Sequence, residues 1–471
     1  MSGKRKILLI SYHFPPSAEV GGLRIANFAR RLPRFGWDPC VLTVEDRYLG
    51  ALDADKLKYL GHAKIFKAGR TPTLSQAYMT CKRAAARLLR RQAAPARFAK
   101  AGQPDSSASG QRTATLSTTL RRYVLSFLSL PDAERSWIWP AVTKAVRIVR
   151  REEITCILTS CPPYSAHLVG LLVKWMTGVR WWIADFRDPW TTAGSKSLYA
   201  TSAASLAIDR WLERAVVRNA DRIITNTNTL CGAFRKAYGL LPADRFVCIT
   251  NGYDREFFAE FAHLPKERLF TITYAGSLYF GRTPEPLFRA LQELLRRGLA
   301  DERSIRVRLV GECSVVEGRP VDELVERYGL GSVVEVLGPV PYNTAIGMIR
   351  QSHLALLLAP NQPYQVPAKV YEYMGAGTRV LALAREGATA DLIRSTGIGA
   401  VFDPGDIAGI KGFVGKCMEE ARTSACSVDP HATSPFELDS ISRQLADELA
   451  RVCASGPSAA SGSQAPDVPR G

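Results

Sequence analysis

Short runs of aliphatic and β-branched residues alternate along this chain with stretches whose apolar positions recur every three or four residues. That alternation predicts parallel sheets built from strand–helix–strand units. In the first half, strands are expected near Arg5–Ser11, Pro39–Val44, Ile154–Thr159, Arg180–Asp185 and Arg222–Asn226. In the second half the rhythm restarts near Thr271–Gly276, Arg306–Gly311, Val333–Leu337, Leu354–Ala359 and Arg379–Ala384. The fold class is therefore α/β, with two doubly wound units in tandem. Their seam is placed around Ile249–Asp254, where Asn251-Gly252 suits a turn with positive φ. The expected organisation is a first domain over 1–250, a second over 251–435, a C-terminal helix over 436–453 returning to the first domain, and a disordered tail over 454–471 rich in Ala, Ser, Gly and Pro. Ligands of doubly wound sheets bind beyond the carboxyl ends of the strands, so function is sought in a cleft between facing units.

Composition narrows the picture. The 471 residues are 46% hydrophobic and 23% charged, which suits a globular protein and excludes collagen, coiled coil and disorder throughout. No apolar run approaches the roughly 20 residues that span a bilayer. The N-terminus begins like a signal peptide at Lys4-Arg5-Lys6, but Ser11, Tyr12, His13 and Pro15-Pro16 cut its apolar core short, so a buried first strand is expected. Ten cysteines without a Cys-x-x-Cys pair suggest reduced thiols in the cytoplasm rather than zinc or a disulfide framework.

The net charge of +18 favours polyanions, anionic membrane surfaces or phosphorylated substrates. Half of it comes from 80–125, where ten basic residues meet one acid, Asp105. A basic low-complexity insertion is expected over about 80–122. Beside it Leu120, Tyr123, Val124, Phe127 and Leu128 form one apolar stripe, open to two readings: a helix packed on the first domain, or an interfacial helix on anionic lipid. Nucleic acid is not expected as a partner, because few aromatics are interleaved with these basic residues.

Three segments carry candidate chemistry. Gly21-Gly22-Leu23-Arg24 opens a helix after the first strand, where free backbone N–H groups form a phosphate or hydroxyl site, although a plain turn reads as well. Asp185, Arg187 and Asp188 stand around the end of a buried strand, as ligand-facing groups or as an Arg187–Asp188 pair that holds the loop. In Pro367–Gly377, Lys369 and Glu372 share a helix face, with Pro367 in the first turn and Gly375 and Gly377 ending the helix. A cation for diphosphate beside a carboxylate for ribose hydroxyls recognises a nucleotide, and a simple ion pair is the alternative. Asp53-Ala54-Asp55 matches a metal-binding Asp-x-Asp pattern but lacks its context and is read as coincidence.

Taken together, Phe14-Pro15-Pro16 with Gly21-Gly22-x-Arg24, Gly36-Trp37-x-Pro39, Thr159-Ser160-x-Pro162-Pro163, Asp185–Trp190, Asn251-Gly252-x-Asp254, Ala275-Gly276-Ser277-Leu278 and Pro367-x-Lys369-x-x-Glu372-Tyr373 resemble the GT-B glycosyltransferases of family 4, in the branch that makes bacterial surface polysaccharides. The resemblance covers nearly all of Arg5 to Cys453. It implies two Rossmann-like domains, the first for the acceptor and the second for a UDP- or GDP-sugar donor, and transfer with retention to a carbohydrate or lipid-linked acceptor. It places donor binding on Gly276, Ser277, Arg282, Lys369 and Glu372, and catalysis on Asp185, Arg187, Asp188 and Lys369. No cofactor and no metal are expected, since Arg282, Lys369 and helix N-terminal amides take the leaving group's charge. The location implied is cytoplasmic, with peripheral contact on the inner face of the plasma membrane.

Four positions depart from the family, one of them Arg282, which stands where a Lys is usual. Ser277 replaces the usual Arg, Tyr364 stands where many members carry a first glutamate, and the usual catalytic His is replaced by Asp185 or its neighbours. These departures keep two other readings open: an epimerase of the same fold acting on the nucleotide-sugar alone, and a catalytically silent basic scaffold on a membrane surface.

Overall fold

The computed structural model describes residues 5–61, 63–72, 130–192, 202–279, 281–423 and 428–454. The basic stretch 80–122, the stripe Leu120–Leu128 and the tail from 455 onward lie outside the described residues. The chain divides into two compact units. One comprises Met1–Ala29, Asp38–Ala184 and Gly194–Asp221; the other comprises Arg30–Trp37, Asp185–Ala193 and Arg222–Gly471.

Among the described residues the first seven strands form one sheet. They are β1 (Arg5–Ile10), β2 (Trp37–Val44), β3 (Lys64–Ala68), β4 (Cys156–Cys161), β5 (Trp181–Phe186), β6 (Arg222–Thr225) and β7 (Phe246–Cys248), in the order β3-β2-β1-β4-β5-β6-β7. β1 pairs in parallel with β4, Ile7 opposite Cys156. The apolar run Ile7–Ile10 is fully buried, as a central strand covered on both faces requires. The N-terminus is thus a strand, as its interrupted apolar run implied.

The second sheet is a parallel sheet of β8 (Phe270–Ala275), β9 (Ile305–Val310), β12 (Val334–Leu337), β13 (Leu354–Ala359), β14 (Arg379–Ala384) and β15 (Gly399–Phe402), ordered β12-β9-β8-β13-β14-β15. A small hairpin, β10 (Val315–Val316) with β11 (Arg319–Pro320), turns at Glu317 and Gly318, both with positive φ. The side chains of β13 divide by parity: Leu354, Leu356 and Leu358 enter one core, while Ala355, Leu357 and Ala359 enter the other. The small residues on the second face let the helix Ala368–Ala376 lie close to the sheet, with Val370, Tyr373 and Met374 in that core. That close packing fixes the position of Lys369 and Glu372.

Several local expectations change. Gly252 does not adopt positive φ; a Cβ there would stand 2.2 Å from the carbonyl oxygen of Phe436, so glycine is needed for close approach. The backbone of Tyr253 bonds that same carbonyl at 2.9 Å and receives the amide of Leu438 at 2.9 Å. The helix Leu438–Ala454 follows, and it packs on the turn Leu32–Phe35. Gly375 lies inside its helix rather than ending it, because the ring of Phe258 fills the place of its Cβ; Gly377, at φ +63°, is the terminus. Pro367 precedes that helix as its N-cap residue. Asp185 is inside β5 and fully buried, not beyond the strand end. Asp53 accepts the amide of Asp55 at 3.1 Å and caps a 3-10 turn.

Candidate functional site

The site is built where β8 and β9 end, in the second unit. β8 stops at Ala275 and the chain turns at Gly276, whose φ is +150°. A Cβ on Gly276 would lie 1.7 Å from Nζ of Lys369, so the ammonium occupies the space that any other residue would fill. Lys369 comes from the first turn of the helix Ala368–Ala376. Its Nζ donates to the Tyr274 phenol oxygen at 3.4 Å and sits 4.5 Å from that ring's centroid. The phenol of Tyr274 donates to the carbonyl of Ser277 at 2.8 Å. Arg282 bonds the same phenol, and its guanidinium stacks 4.3 Å from the ring centroid of Tyr279.

Two cations thus converge on one neutral phenol. Burial and then the charge of Arg282 bring the Lys369 ammonium down to about 8, against the opposing pull of Glu372. Among the described residues neither cation makes an ion pair, so Lys369 and Glu372 are not the simple helix pair that their spacing allowed. Holding two like charges together is unfavourable without an anion, and the pair is therefore poised for one. Burial holds the phenol of Tyr274 above its ordinary range and raises the Cys313 thiol to about 11, so Cys313 stays protonated and donates to the Gly276 carbonyl at 3.2 Å.

Glu372 lies on the same helix. Burial raises its carboxyl above the ordinary range, while Lys369 and the phenol of Tyr342 work in the opposite direction. Tyr342 donates to Oε1 of Glu372 at 3.3 Å, and its ring stacks on Phe257 with centroids 5.7 Å apart and 22° between planes. One carboxylate oxygen is thereby oriented by a phenol that sequence spacing did not suggest.

The neighbouring strand supplies the remaining wall. Gly311, at φ +111°, leaves no room for a Cβ, which would meet the Gly276 carbonyl oxygen at 2.4 Å. Gly311 also borders an open cavity of about 670 Å3 lined by Glu312, Ser314, Asp322, Val336 and Gly338. Lys369 and the cavity are therefore joined through two touching glycines. Two close cations without an ion-pair partner among the described residues suit a doubly charged anion.

The other predicted residues are placed differently. Arg187 is almost buried after β5, and Asp188 accepts from the side-chain amide of Gln365 in the same unit. The carbonyl of Gln365 accepts from Thr389 at 2.9 Å, which fastens the segment before the Lys369 helix. Tyr364, at the position of the missing glutamate, contributes its carbonyl to the hydroxyl of Thr227 at 2.8 Å. In the first unit the helix Gly21–Arg31 starts as expected, but Gly22 is pressed against the backbone of His13 and Phe14, with a Cβ only 3.1 Å away from it. Arg24 is nearly buried, its guanidinium 4.9 Å from the ring centroid of Phe28.

Residues 21–252 match the Glycosyl transferase 4-like domain family, and residues 256–424 match the family Glycosyl transferases group 1. The chain belongs to the family 4 glycosyltransferases of GT-B fold. Within that family it is 28% identical over 237 residues to the D-inositol 3-phosphate glycosyltransferase of Gordonia bronchialis, a match covering 46% of this chain and 50% of that protein. The chain thus spans half the length of that curated relative. The GT-B fold is shared with Anabaena Alr3699/HepE in complex with UDP, at TM-score 0.60 and 16% identity over 95% of this chain and 100% of the other. A glycosyltransferase from Rickettsia africae gives TM-score 0.58 and 13% identity over 96% of this chain and all of that one. For this GT-B member, Tyr274, Gly311 and Tyr342 are the residues of the candidate site that the sequence did not reveal. A tyrosine near the carboxyl end of a buried strand, two residues before a glycine, was the available signal for Tyr274.

Proposed function

We propose that the protein transfers a sugar, with retention, from a UDP- or GDP-sugar to a carbohydrate or lipid-linked acceptor in surface polysaccharide synthesis. The observation that carries the donor reading is the Lys369 ammonium seated against Gly276 beside Arg282, neither of them in an ion pair with a carboxylate among the described residues. Lys369 and Arg282 hold the diphosphate, Gly276 and Ser277 contribute backbone at its edge, Glu372 accepts the ribose hydroxyls, and the cavity beside Gly311 takes the base. UDP bound to the Anabaena relative supports a nucleotide ligand of this kind.

In the reaction the bond between the anomeric carbon and the diphosphate oxygen breaks while that carbon bonds the acceptor hydroxyl oxygen. The hydroxyl proton leaves with the nucleoside diphosphate or passes to solvent. Negative charge grows on the leaving oxygen, and two preorganised cations stabilise it there without a metal. Asp185, Arg187 and Asp188 are assigned to the sugar and acceptor side, and the Gly21-Gly22-Arg24 loop to acceptor positioning; both assignments rest on the family resemblance.

The test is a panel of nucleotide-sugars measured for thermal stabilisation and for turnover with membrane extract as acceptor, with and without chelator. Stabilisation by UDP- or GDP-sugars, turnover that survives chelation, and weaker binding by Glu372→Ala are expected. No stabilisation by any nucleotide would refute the reading, and an epimerised donor in the absence of acceptor would replace it with the epimerase.

A further inference from the structure

The second unit takes in the end of β5, the loop after it and the whole of β6. Asn226 is the first residue beyond β6, at the strand end where a doubly wound sheet meets its ligands. Its side chain is only 6% exposed, and its Oδ1 is sealed from solvent without a hydrogen-bond partner. Its Nδ2 donates to nothing among the described residues either. The backbone around it is firmly held. The Thr225 hydroxyl donates to the Thr227 carbonyl at 3.1 Å, and the Thr227 hydroxyl donates to the Tyr364 carbonyl at 2.8 Å while accepting the amide of Leu230 at 3.1 Å. The residue after Tyr364 is Gln365, whose side-chain amide donates to Asp188 Oδ1 and whose carbonyl accepts from Thr389 at 2.9 Å. Two residues further on, Pro367 caps the helix that carries Lys369 and Glu372. One short stretch thus ties the end of β6 and the loop after β5 to the start of that helix.

A buried carboxamide on a fixed backbone, with neither of its polar atoms used, is a hydrogen-bonding group left over for a ligand. The amide can turn by half a revolution without breaking any bond, so it can offer its oxygen as acceptor or its nitrogen as donor. A hydroxyl group, which both donates and accepts, matches either setting; a phosphate calls for cations, which Lys369 and Arg282 supply elsewhere in this unit. We infer that Asn226 is a specificity-determining residue that takes a ring hydroxyl of the sugar. The inference rests on the nucleotide-sugar reading above and adds to it the group that distinguishes one sugar from another.

The experiment is calorimetric titration of the full chain and of Asn226→Ala with UDP, GDP, UDP-glucose, UDP-galactose and GDP-mannose, beside steady-state kinetics with membrane extract as acceptor. Asn226→Ala should bind the nucleotide-sugar preferred by the parent about threefold to tenfold more weakly, the worth of one hydrogen bond, and bind the bare nucleotide as the parent does. It should melt at the parent's temperature or above, because an unpaired buried oxygen has been removed. Among monodeoxy forms of the preferred sugar, one should bind the parent more weakly and be insensitive to Asn226→Ala. Unchanged donor affinity with the acceptor KM raised by the same factor would also bear out the inference and place the hydroxyl on the acceptor. Unchanged donor affinity together with unchanged acceptor KM would overturn it, and so would equal weakening of bare nucleotide and nucleotide-sugar. A parent chain that binds no nucleotide at all would defeat the nucleotide-sugar reading and this inference with it, a failure visible before any substitution is made.

Discussion

Both units place glycines where another group fills the place of the missing side chain, yet they use them for opposite purposes. In the first unit Gly22 yields to the backbone of His13 and Phe14, and Gly170 yields to the side chains of Thr159 and Trp182. In the second, Gly276 yields to an ammonium and Gly311 to the carbonyl of Gly276. The first pair makes dense packing; the second makes room for charge at the edge of a cavity. The lesson is that a glycine indicates a binding site only when the atom occupying its missing side chain is itself functional. By that criterion the proposed donor chemistry is assigned to the second unit.

The sharpest way to break this contrast is to remove the charge that Gly276 accommodates. Lys369→Met should lower turnover by about 10²–10³-fold, the cost of deleting one preorganised group that stabilises a developing charge, with little loss of folding stability. A steady-state assay on the purified variant checks this. Glu372→Ala should weaken donor binding by about tenfold to a hundredfold, as expected for hydrogen bonds to a charged group, measured by calorimetric titration. A donor lacking both ribose hydroxyls should be insensitive to the same change.

Titration sharpens the comparison further. The Lys369 ammonium, brought down to about 8 by burial, loses its proton as pH rises through that value. Nucleoside diphosphate affinity should therefore be steady near neutrality and fall above about pH 8 in the wild type, a decline absent in Lys369→Met. The stability sign is opposite. The unfolded chain holds this proton up to the ordinary lysine value, so the ligand-free fold gains stability from this group between about 8 and 10.5.

Smaller effects come from the supporting residues. Tyr342→Phe keeps the ring stacked on Phe257 but deletes the hydrogen bond to Glu372, and a loss of donor affinity of about threefold to tenfold is expected from one such bond. In the first unit, Gly22→Ala should leave nucleoside diphosphate affinity unchanged while costing about 1–3 kcal/mol by overpacking, seen in chemical denaturation. A loss of nucleotide binding in that variant would erase the contrast between the units.

Strand legibility followed burial. Leu354–Ala359 and Arg379–Ala384 were bounded to the residue because central parallel strands are continuous apolar runs. Lys64–Ala68 and Gly399–Phe402 escaped notice: both are edge strands, one flanked by lysines and half-exposed, the other opened by Gly and Ala with weak strand preference. The site divides the same way. Lys369, Glu372 and Gly276 lie in motifs readable in order, whereas Tyr342 reaches Glu372 across 30 residues of sequence, a juxtaposition made by tertiary packing alone. Asp185 was legible as a residue but not as a buried one, because the strand continues one residue beyond it.

A crystal structure with bound nucleoside diphosphate tests the central claim most directly. The distal phosphate should lie within hydrogen-bonding reach of Lys369 Nζ and Arg282, with the ribose hydroxyls on Glu372 and the base in the cavity beside Gly311. A phosphate seated instead on the amides of Gly21 and Gly22, with Lys369 still against an empty Gly276, would contradict it.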